Sequence, residues 1–169
     1  MPAAARDIEA HLPGEIHAPW EDAMKVEEAM TANPVTCLPD TGIEQAARWM
    51  VECDCGALPV IDADNRPLGI ITDRDITCRI IAKGKDPYML DVTAAMSAPA
   101  ATVYRDTTLE ECLALMEQNQ VRRMVVLDDD NTVCGMVAQA DLVKCLDAEE
   151  TAELMREVSV DTESASQVH

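Results

Sequence analysis

No phenylalanine occurs in these 169 residues, and Trp and Tyr contribute only two each. A core built without rings must close with Val, Ile, Leu, Ala and Met, for which a 48% hydrophobic content suffices. Long apolar runs are missing too: none approaches the roughly 18 residues of a membrane span. Bases are scarce, with 13 Lys and Arg against 32 Asp and Glu, a formal charge of −19. That field repels nucleic acid and anionic membrane, so neither is expected as a partner. Four of the bases are Lys, a balance that fits a salt-tolerant or GC-rich source. The opening residues MPAAARDIEAHLPGE lack the apolar centre of a secretory signal. Seven cysteines, an odd number, then point to reduced thiols and a cytoplasmic protein. His11 and His17 lie near one end and His169 at the other, so no Cys–His or Ser–His dyad forms. A Cys-nucleophile enzyme lacks its base, and no catalytic residue is assigned. Cys53 and Cys55 stand at C-x-C spacing without a second Cys or His pair, so no metal site is assigned either.

What the chain does contain is a phrase written twice: GIITDRD at 69–75 and GMVAQAD at 135–141. A shift of 66 residues pairs them, and it also pairs Met30 with Met96, Thr36 with Thr102 and Asp40-Thr41 with Asp106-Thr107. Met50 meets Met116, Asp62 meets Asp128, Asn65 meets Asn131 and Asp75 meets Asp141, without a gap. Register held this far is the mark of a tandem duplication.

Each copy follows one pattern. An extended piece (35–38; 101–104) leads through Asp-Thr into a helix. Ile43, Ala46, Ala47, Met50 and Val51 share one face of the first, and Leu109, Cys112, Leu113 and Met116 one face of the second. Two apolar strands follow, 57–61 with 68–72 and 124–127 with 133–138, joined by the turns DADNR (62–66) and DDDNT (128–132). A closing helix carries Ile76, Ile80 and Ile81, or Leu142, Val143 and Leu146. The expected fold is α/β (α+β): two β-α-β-β-α repeats packed sheet to sheet about a pseudo-two-fold axis, both sheet faces covered. The expected divisions are an arm or linker (1–20), a first repeat with a leading helix over Glu21–Met30 (21–92), a second repeat (93–147), and a C-terminal helix with a frayed tail (148–169, the helix written by 147–158). Met30 and Met96, opening each repeat, are read as core plugs. Clefts between duplicated halves are natural ligand sites.

The pieces LPVIDADNRPLGIITDRDI (58–76) and RRMVVLDDDNTVCGMVAQADL (122–142) resemble the cystathionine-β-synthase (CBS) domain, and the resemblance to a tandem pair runs from about Val26 to Leu146. It implies a regulatory module without catalytic apparatus, binding an adenosine-containing ligand such as AMP, ADP, ATP, S-adenosylmethionine or NAD. No obligatory cofactor belongs to it. It also implies a flat homodimer.

The phrase has a chemistry that suits this. Thr72, at a strand-to-helix junction, offers a hydroxyl to phosphate, and Arg74 adds charge. Asp75 can accept both hydrogen bonds of a ribose diol. Thr36, Cys37, Ala57, Leu58 and Pro59 complete an apolar adenine pocket in the first cleft. The second cleft is assigned Thr102, Val103, Arg122, Arg123, Met124 and Asp141, with the two adjacent arginines as an anion site. The same T-x-x-D spacing also spells a helix capping box, with no ligand involved. Copy two replaces Thr72 and Arg74 by Ala138 and Ala140, so the first cleft is expected to be the stronger nucleotide site. The rival reading is a duplicated dimerisation scaffold with vestigial sites, acting on an unknown protein target.

Overall fold

The computed structural model describes residues 23–145. The expected arm, the start of the leading helix, Leu146 and the C-terminal helix lie outside them. Helix α1 (Val26–Ala29) and the short strand β1 (Thr31–Ala32) open the described chain. The first repeat continues with α2 (Ile43–Glu52), β2 (Ala57–Ile61), β3 (Pro67–Thr72) and α3 (Asp73–Asp75). The second holds β4 (Thr102–Tyr104), α4 (Leu109–Gln118), β5 (Arg123–Leu127), β6 (Val133–Ala138) and α5 (Gln139–Cys145).

The duplication is visible in the pairing. β2 pairs antiparallel with β3, and β5 with β6, both with a register shift at the same repeat position (Val60/Ile61 and Val126/Leu127). Both turns close alike: Asp62 Oδ1 accepts the Asp64 and Arg66 N–H groups, and Asp128 Oδ1 those of Asp130 and Thr132. Asn65 and Asn131 take the left-handed conformation (φ 60° and 61°) that Asn tolerates.

The leading segments cross over. β1 pairs with β6 of the other repeat (Thr31↔Met136), and Ser97 bridges Ile70 in β3, the same pair with the copies exchanged. Val26 is fully buried in the second repeat's core, beside Leu109, Met116 and Leu142. Its counterpart Val92 is buried in the first, beside Ile43, Leu58 and Ile71. Each repeat thus lends its partner a piece of backbone and a core valine. A third cluster of Val125, Leu127 and Val133 takes in Ile61 and Ala100 where the halves meet.

Four local expectations change. Residues 35–38 do not form a strand; they make one bridge, Cys37 to Val60. In copy two the matching ladder uses the Arg105 N–H to Leu127 and the Val125 N–H to Ala101. The equivalent donors in copy one are Pro39 and Pro59, which have no N–H. Val51 is 82% exposed rather than on the buried face, since it lies about 80° round the helix from Ile43. The closing helix of copy one turns π-helical over Ile76–Ile80, with the Ile81 N–H reaching Ile76 O. The inserted residue rotates Ile81 outward, and it is 54% exposed. Finally, only β2 and β5 are buried along nearly their whole length; β3 and β6 alternate.

Candidate functional site

A cleft of about 400 Å³ opens between the repeats. The first contributes Thr31, Asn33, Pro34 and Val35 from the crossing segment, Cys53 to Gly56 from the loop after α2, and Ala57 at the start of β2. The second contributes Arg123 at the start of β5, Met136 and Ala138 on β6, and Asp141 on α5. The β1–β6 pairing joins these walls, because Thr31 lies directly opposite Met136. The Asn33 N–H donates to Cys134 O at 2.9 Å, and Asn33 turns the chain with φ 49°. Gly56 leaves the space for Arg123: a Cβ there would lie 3.0 Å from Arg123 Nη2 and 3.1 Å from Asp73 Oδ2.

The two duplicated aspartates are held differently. Thr72 and Asp75 form a closed capping box. Asp75 Oδ2 accepts from the Thr72 N–H (3.0 Å) and hydroxyl (2.7 Å), and the Asp75 N–H donates to Thr72 Oγ1 at 3.0 Å. Arg79 Nη1 lies 3.3 Å from Asp75 Oδ1 and also donates to Ala95 O and Ser97 Oγ. The Asp75 side chain is 13% exposed. In copy two Ala138 has no hydroxyl, and among the described residues Asp141 Oδ2 accepts only the Ala138 N–H at 3.2 Å. Its other oxygen is 3.5 Å from Lys144 Nζ, on a side chain that is 76% exposed, and Asp141 itself is 31% exposed. Thr72→Ala is therefore expected to cost about 0.5–2 kcal/mol as a lost cap, measurable by urea denaturation; an unchanged midpoint would show that the box contributes nothing.

Among the residues singled out from the sequence, Ala57, Arg123 and Asp141 line the cleft together. Cys37, Leu58, Val103 and Met124 are core, and Pro59 is buried in β2. Thr36 and Thr102 are half-buried outside the lining, and Arg74 and Arg122 are exposed. The Arg122 carbonyl accepts the Gln139 N–H at 2.9 Å. Burial pushes the Cys37 thiol up to about 12 and that of Cys112 to about 11, leaving both as protonated core groups. The crossing segment was not foreseen, because a repeat read along the chain does not reveal which copy each wall faces.

The CBS-domain family model matches residues 26–81 and again 91–148. The chain belongs to the CBS-domain family. As a CBS pair it is 36% identical over 117 residues to the CBS domain-containing protein YhcV of Bacillus subtilis, covering 69% of this chain and 81% of YhcV. It is 38% identical over 115 residues to Hypoxic response protein 1 of Mycobacterium tuberculosis, covering 66% and 78%. Among solved structures, CBSX2 in complex with AMP matches with TM-score 0.61 and 26% identity, over 72% of this chain and 94% of CBSX2, a protein of Arabidopsis thaliana. No helix among the described residues of this CBS pair is long and apolar enough to cross a membrane.

Proposed function

We propose that this CBS pair is a regulatory module that binds an adenosine-containing ligand (AMP, ADP, ATP, S-adenosylmethionine or NAD) between its repeats and signals by changing shape or partner affinity. The observation that carries this is the cleft itself: about 400 Å³, apolar along Val35, Ala57 and Met136, with two carboxylates (Asp54 and Asp141) and the Arg123 guanidinium among its lining groups. That volume lies in the range of small-ligand pockets. Asp141 accepts ribose hydroxyls with Oδ1, which its cap leaves to the exposed, displaceable Lys144, Arg123 faces phosphate, and the apolar wall takes the base. The likeness to CBSX2, whose structure contains AMP, supports the same reading.

The weight moves from Asp75 to Asp141. Asp75 has both oxygens engaged by its own helix, and the Thr72 hydroxyl meant for phosphate is turned onto Asp75. A ligand that binds only the folded state raises its stability by mass action, by about 2.7 kcal/mol at a hundred times Kd. Melting with each of the five compounds should reveal at least one upward shift; a flat response to all five would favour the scaffold reading. Asp141→Ala is expected to weaken binding about 10- to 100-fold, the loss of a charge-assisted hydrogen bond, and Asp75→Ala much less. Calorimetry showing the larger loss in Asp75→Ala would reverse the assignment.

The exposed apolar side of the first repeat favours an assembly of two chains. Val51, Tyr88 and Met89 are 82%, 78% and 79% exposed, on α2 and on the 3₁₀ turn Pro87–Met89 packed against it. Light scattering at micromolar concentration is expected to return a dimer mass, and Met89→Glu to shift it toward monomer. A monomer mass at every concentration would count against this.

A further inference from the structure

The cleft is poor in positive charge. Among the described residues its lining holds one cation, Arg123, against the carboxylates of Asp54 and Asp141. Arg74, Arg122 and Lys144 lie outside that lining. Arg123 is also shared with a third acid. A Cβ on Gly56 would lie 3.0 Å from Arg123 Nη2 and 3.1 Å from Asp73 Oδ2, so both charged groups border the space that Gly56 leaves empty. Asp73 Oδ1 is taken on its other side, where it accepts the Arg74 N–H at 2.7 Å.

Asp54 and Asp73 are acids of copy one alone. Their matches in copy two are Gln120 and Gln139, both uncharged. The backbone is alike at each pair. Asp54 and Gln120 take φ 49° and 53°, and the Asp73 and Gln139 N–H groups donate to Gly56 O and Arg122 O. The copies thus differ at these two places in charge rather than in conformation.

We infer, on the functional reading above, that Asp54 and Asp73 set a charge limit on the ligand. The cleft takes an adenosyl compound with one anionic group, AMP or S-adenosylmethionine, and rejects the di- and triphosphates. Arg123 matches one phosphate or one carboxylate. A second phosphate finds Asp54 or Asp73 where it would need another cation, and like charges a few Å apart in a partly dry cleft repel strongly. At 0.15 M salt, charges are screened over about 8 Å. That removes most of the field of the remaining acids but not the repulsion from these two neighbours.

Calorimetry on the full chain, at about 0.15 M salt and without divalent cations, tests this. ADP and ATP are expected to bind at least about tenfold more weakly than the better of AMP and S-adenosylmethionine. The double variant Asp54→Gln, Asp73→Gln installs the residues that copy two carries in the same backbone. It should tighten ATP at least about tenfold while AMP changes less than about threefold. The control Asp64→Gln, Asp130→Gln removes the same charge from the exposed turns outside the lining and should keep the wild-type order. ATP binding as tightly as AMP in the wild type overturns the charge limit and leaves the ligand site standing. An unchanged order in a folded Asp54→Gln, Asp73→Gln protein overturns it too, and assigns the rejection of ATP to its size. Absence of binding by all of these compounds overturns both the limit and the site.

Discussion

Leu58→Ala is expected to remove about 2–5 kcal/mol of unfolding free energy while the protein that remains folded still binds its ligand. Leu58 is completely buried, packed with Ile43, Val60, Ile71 and Ile80 on the inner face of β2. The buried members of this core are all aliphatic or sulfur-bearing, and Trp49 packs against it only partly buried, so truncation leaves most of the cavity open. From sequence, Leu58 is a candidate for the adenine pocket; its neighbour Ala57 is the one that lines the cleft. Chemical denaturation with calorimetry below the transition separates the roles. A stability loss under about 1 kcal/mol combined with a collapse of affinity would return Leu58 to the pocket.

Gly69→Ala is expected to destabilise by about 1–3 kcal/mol, and Gly135→Ala by distinctly less, although the two glycines are equivalent in the duplication. At each, the crossing segment of the other repeat passes over the strand. A Cβ on Gly69 would lie 2.7 Å from the Ser97 carbonyl oxygen and 3.1 Å from Met96 Sδ. That oxygen is fixed, because it accepts the Ile70 N–H while the Ser97 N–H returns to Ile70. At Gly135 the nearest atom is Met30 Sδ, the far end of a flexible side chain that can swing aside. Thermal melts of the two single mutants decide this. Equal losses would mean that the methionines, not the Ser97 backbone, limit the space at both positions. The opening methionines, read as core plugs, thus sit against the two glycines of the duplicated phrase, and the close approach explains why both copies keep Gly.

The duplication, its strand and helix order and most element boundaries are legible in the sequence alone. Local chemistry determines them: short apolar runs, Asp/Asn turns and helix starts act within a few residues and repeat at a 66-residue shift. The capping box belongs to the same class. Thr72 and Asp75 stand three apart, and any helix beginning there brings them together. What lay beyond reach was decided by contacts between distant segments. Pro39 and Pro59 are plain in the sequence, but their effect on 35–38 depends on which strand lies alongside. The π-helical turn that exposes Ile81 answers to packing rather than to composition. Above all, the exchange of leading segments puts Thr31–Val35 against β6 and carries Cys53–Ala57 into the cleft with Arg123 and Asp141. Two copies of one motif can bury their faces with or without that exchange, and the pattern of apolar residues is the same in either case. Only the tertiary structure decides which copy's backbone passes over which glycine, and that crossing makes the cleft.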